Sequence, residues 1–172
     1  MMKKLLSLLL ILQSLLVYGQ WTSVSIPTTA SFRALKVKGN HIWAGGTQGT
    51  VGHSSNQGKT WEFMQVPDAA NLDFRDLTII NDQEVILMSA GLSEEGKARL
   101  YATNDGGKSW SLKLNIQESG YFFDCLQWDN KTQKGWLLAD PINQKLSLFS
   151  ITKDSALHVN STKAHPLQAK EA

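Results

Sequence analysis

Residues 102–110 read ATNDGGKSW, and their types and spacing admit two kinds of chemistry. The first eight fit the looser form of a phosphate-binding loop, with Ala102 where the first glycine would stand, then Gly107, Lys108 and Ser109. Such a loop cradles phosphate oxygens on backbone N–H groups and sets its lysine on the outer phosphates. The same letters suit a tight turn between two β-strands, where Asn, Asp and Gly supply the unusual backbone angles. A phosphate loop needs a strand before its glycines and a helix after them. The stretch after Lys108 is SWSLKLNIQ, whose Leu112, Leu114 and Ile116 alternate as in a strand. The turn is the better reading, and Lys108 becomes a solvated side chain.

A repeat gives that turn its place. Residues 54–61 (SSNQGKTW), 103–110 (TNDGGKSW) and 152–159 (TKDSALHV) begin 49 residues apart. The first two share a hydroxyl residue, then Asn or Asp, then Gly-Lys, a second hydroxyl residue and Trp; the third keeps Thr152 and Asp154 and reads as a decayed copy. Asn56 and Asp105 can hydrogen-bond backbone N–H groups of their own turn. Gly58 and Gly107 can take positive φ, and Ser54 or Thr103 can close the loop from the far side. Trp61 and Trp110 then open the next strand and are expected to fold across the seam beside it. Burying one tryptophan removes about 150–250 Å² from water, roughly 4–6 kcal/mol gross.

A second anchor marks the start of each unit: Phe32-Arg33, Phe74-Arg75 and Phe123-Asp124. Four short apolar stretches come after each anchor, separated by Gly, Asn and Asp turns, and no convincing helix lies beyond residue 20. Units of four strands and roughly 40–50 residues point to propeller blades. The expected fold is all-β, a β-propeller with blades at about 31–67, 73–117 and 122–166. Residues 21–27 (WTSVSIP) echo residues 61–67 (WEFMQVP), and so predict an outer strand that closes the last blade of the ring. Propellers typically have 4–8 blades. Three blades with a spare strand therefore predict an N-terminal portion of a longer ring, with a ring-closing trimer as the lesser alternative.

The chain opens MMKKLLSLLLILQSLLVYGQ: a short basic start, an apolar run, and a small-residue cleavage pattern at Val17-Tyr18-Gly19. This layout predicts a secretory signal peptide over residues 1–19, hence an exported protein, periplasmic or secreted, with no membrane span after cleavage. Loss of Lys3 and Lys4 takes the formal charge from +2 to zero, which gives no electrostatic case for nucleic acid. Cys125, the only cysteine, lies in the apolar stretch YFFDCLQW and is expected to be a buried, inert thiol. The four histidines are scattered, and no metal-ligand spacing is present, so no metal is expected.

The turn pattern Ser/Thr-x-Asp-x-Gly-x-Thr/Ser-Trp resembles the Asp-box, or BNR, repeat of sialidases, sortilin-type receptors and photosystem II stability/assembly factor-like propellers. Residues 103–110 match it in full, and residues 54–61 match it except for Asn56. Phe32-Arg33, Trp43-Ala-Gly-Gly46, Leu72-Asp-Phe-Arg-Asp76, Phe122-Phe-Asp124 and Leu138-Ala-Asp140-Pro141 look like exported bacterial members of the assembly-factor-like group. Some of that group are called oxidoreductases, yet the chain has no flavin or nicotinamide motif, and no cofactor is expected. The resemblance implies a ring of about seven blades that serves as a binding scaffold, with the Asp-boxes at the blade periphery.

The binding candidates are Arg33, Arg75 and Asp124, which stand at equivalent positions before the innermost strands of consecutive blades. A propeller would turn all three toward the axis, where they could bind a carboxylate or an acidic peptide end of a protein partner through bidentate hydrogen bonds. Asp140 could line the same channel. The competing reading is a structural ring of inter-blade ion pairs, for instance Arg75 with Asp76 or Asp124. The enzymatic alternative is a sialidase-like glycoside hydrolase, whose Phe-Arg-Ile-Pro motif Phe32-Arg-Ala-Leu35 partly imitates. It lacks the proline, repeats Phe-Arg at 74–75, and would need its nucleophilic tyrosine beyond residue 172.

Overall fold

Residues 85–89, VILMS, are buried at every position and show none of the alternation expected of a half-exposed strand. A strand reads this way when its sheet is covered on both faces. The reason is visible in the computed structural model, which describes residues 23–153 in full and the backbone of residues 157–162. The first sheet is a meander of β1 (Phe32–Lys38), β2 (His41–Gly46), β3 (Thr50–Ser54) and β4 (Glu62–Gln65). The second runs through β5 (Phe74–Ile79), β6 (Val85–Ser89), β7 (Ala98–Thr103) and β8 (Ser111–Ile116). The third is made of β9 (Phe123–Asp129), β10 (Lys134–Ile142), β11 (Lys145–Lys153) and β12 (Leu157–Thr162). All pairings are antiparallel between sequence neighbours, which is the arrangement of propeller blades. The chain is an all-β, partial β-propeller. One short 3₁₀ turn, Ser93–Glu95, interrupts the strands.

The second sheet lies between the other two. Its Phe74, Leu77, Val85, Leu87 and Tyr101 pack with Trp43, Val51, Val66 and Leu72 to form the first seam. Its other face gives Ile86, Met88, Leu100 and Ala102 to a second seam with Phe123, Leu126, Trp128, Leu137 and Phe149. Register explains one contrast. Leu35, Leu77 and Leu126 occupy the same rung of their inner strands, opposite Ala44, Leu87 and Leu137. Leu77 and Leu126 are buried against the preceding sheet, whereas Leu35 is 63% exposed, because among the described residues no sheet precedes the first.

Three expectations need correction or qualification. Residues 23–27 form no strand, since the sheet that would receive them is not among the described residues; Val24 and Ile26 instead line a shallow apolar hollow with Phe32, Trp61 and Phe63. Cys125 is exposed rather than buried, because the strand irregularity at Asp124 shifts the alternation so that 124 and 125 both avoid the core while Phe123 and Leu126 enter it. Trp61 and Trp110 are only half-buried. Trp110 meets Trp43 edge-on across the seam at 5.9 Å, while Trp61 stacks on Phe63 of its own sheet. Among the described residues the buried tryptophans are Trp43, completely enclosed, and Trp128. The signal-peptide segment, 1–19, lies outside the described residues.

The 54–61 and 103–110 turns share one hydrogen-bond scheme. Ser54 Oγ accepts the Gly58 N–H at 2.8 Å, as Thr103 Oγ1 accepts the Gly107 N–H at 2.9 Å. Asn56 Oδ1 accepts the Thr60 N–H at 2.9 Å, and Asp105 Oδ1 accepts the Ser109 N–H at the same distance. Gly58 and Gly107 take φ of 81° and 90°. They differ in two places: Ser109 Oγ donates to Asp105 Oδ2, whereas Asn56 donates to Thr60 Oγ1, and Trp61 Nε1 donates to Gly58 O at 3.1 Å, whereas Trp110 Nε1 has no partner. The third copy's equivalent connection, residues 154–156, lies outside the described residues.

The hydrogen bonds from the Ser109 hydroxyl and N–H, with that from Thr103, lower the Asp105 pKa from 3.8 to about 2. A depressed carboxylate contributes stability that is present above pH 3.8 and lost as pH falls through about 2. Asp105→Asn should keep the turn, since Asn56 already builds the same one, and should melt at nearly the parent temperature at pH 7. Between pH 4 and pH 2 its melting temperature should fall less steeply than the parent's. Parallel curves in thermal melts would remove Asp105 from the acid response.

Candidate functional site

The inner strands of the three sheets begin with the same irregularity. Phe32 pairs with Gly46 and Ala34 with Gly45, which leaves Arg33 outside the ladder. Phe74 faces Ser89 and Asp76 faces Met88, so Arg75 is passed over. In the third sheet Phe123 is opposite Ala139 and Cys125 opposite Leu138, and the skipped residue is Asp124. A β-bulge of this kind puts one extra residue on a strand, bends it and re-aims its side chain. At each bulge that residue is charged and exposed. The phenylalanine before it holds the strand in place, and Phe74 and Phe123 are completely buried.

A backbone hydrogen bond steadies each bulge. Thr47 N–H donates to Ser31 O at 3.0 Å, Ala90 N–H to Asp73 O at 3.0 Å, and Asp140 N–H to Phe122 O at 2.9 Å. Asp140 therefore stands where Thr47 and Ala90 stand in the other sheets, at the far end of the second strand and beside the bulge.

Inter-sheet contacts bring the three bulges to the same end. Arg33 reaches Asp73, Lys36 Nζ lies 3.1 Å from Asp76 Oδ1, and Lys38 Nζ donates to Ile80 O. These evenly stepped contacts mean that β1 and β5 run in the same direction. Asp76 Oδ2 accepts the Leu126 N–H at 2.8 Å and so ties β5 to β9. Arg33, Arg75 and Asp124 thus emerge from adjacent inner strands in register.

Asp73 organises the cationic half. Its Oδ2 lies 3.4 Å from Arg33 Nη1 and 2.8 Å from Arg75 Nε, so a single carboxylate oxygen serves both guanidinium groups. Two like charges held this close would repel, and the shared carboxylate offsets that. Each arginine keeps further N–H donors for other partners. The Arg75 guanidinium also lies 5.9 Å from the Phe122 ring centroid, at the outer limit of a cation–π contact. A cleft of about 290 Å³ opens beside it, lined by Asn71, Asp73, Arg75, Leu92, Lys97 and Phe122 among others.

The acidic half is Asp124 with Asp140. Partial desolvation first, and then the neighbouring charge of Asp140, raise the Asp124 pKa above its ordinary value. Asp124 is solvent-exposed, so both effects are screened. Arg75 engages neither Asp76 nor Asp124, and the ion pairs expected for those two are replaced by Lys36–Asp76 and Arg75–Asp73. Asp73 is the residue that sequence comparison passed over. It sits in LDFRD just before the anchor, but Ser31 and Phe122 hold the equivalent places, so the repeat gives it no weight.

The turn residues 54–61 and 103–110 link the third and fourth strands and stand apart from this cluster. Among the described residues, no group of three or more His, Cys, Asp or Glu side chains could hold a metal ion, and no helix is long and apolar enough to cross a membrane.

No protein-family model matches the chain, and no curated protein matches it either. Solved structures do. One, described as YCF48 bound to D1 peptide, superposes with a TM-score of 0.61 at 21% identity, over 87% of this chain and 45% of its own. Another, YCF48 from Cyanidioschyzon merolae, gives 0.52 at 21% identity, over 72% of this chain and 40% of its own. The chain therefore shares the fold of these proteins and spans less than half of their length.

Proposed function

We propose that the chain is an exported, non-catalytic β-propeller module that binds a protein partner or an acidic ligand where Arg33 and Arg75 emerge. The observation that carries this is the coincidence of bulge and charge. Three separate sheets spend a ladder position on re-aiming one side chain toward the same end, and each time that side chain is ionisable. Guanidinium groups suit carboxylates through forked hydrogen bonds. A similar fold in a protein described as bound to a peptide supports peptide capture by an assembly scaffold like the photosystem II assembly factors. In this reading the 54–61 and 103–110 turns are Asp-box repeats with a structural role, and no cofactor takes part. Export rests on the layout of residues 1–19.

The test is fluorescence anisotropy with a labelled peptide that ends in a free carboxylate preceded by two glutamates. Arg33→Ala with Arg75→Ala should weaken binding at least tenfold, about 1.4 kcal/mol. The Lys pair should recover only part of it, because the fork is lost. Unchanged affinity in the double alanine variant would sink the axial site.

A further inference from the structure

We infer that the natural ligand is dipolar: a peptide segment that offers a carboxylate to Arg33 and Arg75 and, a few residues away, a lysine, arginine or amino group to Asp124 and Asp140. This rests on the axial-binding reading above and says what kind of peptide that site would take.

The charge order around the inner strands is the reason. Successive bulges present Arg33, Arg75 and Asp124, and Asp140 is added at the steadying position of the third sheet alone, where the first two sheets have Thr47 and Ala90. The arginines already have an internal counter-charge in Asp73. Asp124 and Asp140 have none: among the described residues, neither carboxylate makes an ion pair or a side-chain hydrogen bond, and each is exposed. Two unpaired carboxylates that feel one another are stabilised by an incoming cation. They would repel a purely acidic ligand laid across the arginines. A lone metal ion is a poor occupant, because the pair lacks a third protein ligand. An ammonium or guanidinium on the same peptide as the carboxylate satisfies both halves at once and fixes the direction in which the chain lies.

Asp73 sets the spacing. Of its two oxygens, Oδ2 holds both arginines, while Oδ1 is buried without a hydrogen-bond partner. A ligand carboxylate therefore meets a pre-ordered pair of forks and does not have to gather two loose side chains, which lowers the ordering cost of binding.

The experiment uses the full chain and three families of ten-residue fluorescein-labelled peptides in 0.15 M salt. The first ends in a free carboxylate with no basic residue. The second has the same end with one lysine scanned over the four preceding positions. The third carries the lysine with an amidated end. At the best lysine position, the second family should bind at least tenfold tighter than the other two. Asp124→Asn with Asp140→Asn should erase that advantage by weakening the lysine peptide and tightening the acid-only one. Thermal melts check that these exposed substitutions leave the fold intact. Equal affinity of the acid-only and lysine peptides for the parent protein overturns the dipolar assignment and leaves the arginine site standing. Absence of binding by all three families, or binding indifferent to Arg33→Ala with Arg75→Ala, overturns the site itself.

Discussion

Trp43→Ala should cost about 3–5 kcal/mol of unfolding free energy, the range for emptying a large aromatic site in a core. That is a large share of the 5–15 kcal/mol that holds a typical domain together. Trp43 is 0% exposed, and both neighbouring layers use it. Its ring stacks on His53 of the next strand at a centroid distance of 3.9 Å and meets Trp110 of the second sheet edge-on. The peripheral turn closes over it: a Cβ added at Gly107 would come within 2.7 Å of the Trp43 ring. Removing the indole leaves a void between two sheets that their own ladders hold apart, so collapse cannot fill it. Trp43→Phe should cost far less than Ala, because the indole N–H is buried with no partner and its loss removes an unmet polar group. Urea unfolding monitored by circular dichroism checks both. Midpoints for Trp43→Ala and Trp43→Phe that coincide with the parent's would show that the seam does not depend on this ring.

The blades are legible in the sequence because their signals are local and repeated. Glycine-rich turns set 49 residues apart and phenylalanine anchors at each unit's start are composition facts, and the strand ladders grow out of them. Burial by side chain is harder to read. Trp61 and Trp110 carry the motif and so look like the buried residues, while Trp43 in HIWAGG carries only an apolar context; which one is enclosed depends on the facing sheet. Cys125 misleads for a related reason. Strict alternation places it with Phe123 on one face, and only the bulge at Asp124, a matter of register, breaks that phase. The charged anchors are legible as a set because they recur at one position. Their partner Asp73 is not, because the shared salt bridge exists only once two sheets stand side by side.

The linker that carries Asp73 leads to the second large effect. Gly49 sits in the turn between β2 and β3 with φ of 61°, donates its N–H to Leu72 O at 2.9 Å, and accepts the Val66 N–H at 2.9 Å. It thereby grips both ends of the segment between the first two sheets, whose Val66, Ala69 and Leu72 are buried. A Cβ added at Gly49 would lie 2.2 Å from the Ala69 carbonyl oxygen, a backbone atom with no rotamer to escape into. Gly49→Ala should therefore cost about 2–5 kcal/mol, from about 1–2 for left-handed backbone and about 1–3 for overpacking. Gly39 is the control: its φ is 59°, but nothing lies within 4 Å of its added Cβ, so Gly39→Ala should show the backbone cost alone. The difference between the two variants measures the overlap. Displacing the linker also moves Asp73, and with it the carboxylate that holds Arg33 and Arg75 together. Gly49→Ala should then weaken binding of the acid-ended peptide at temperatures where the protein is still folded, while Gly39→Ala leaves it unchanged. If both variants lose stability equally and bind equally well, the linker is not what orders the arginines, and their spacing must be set by the bulges alone.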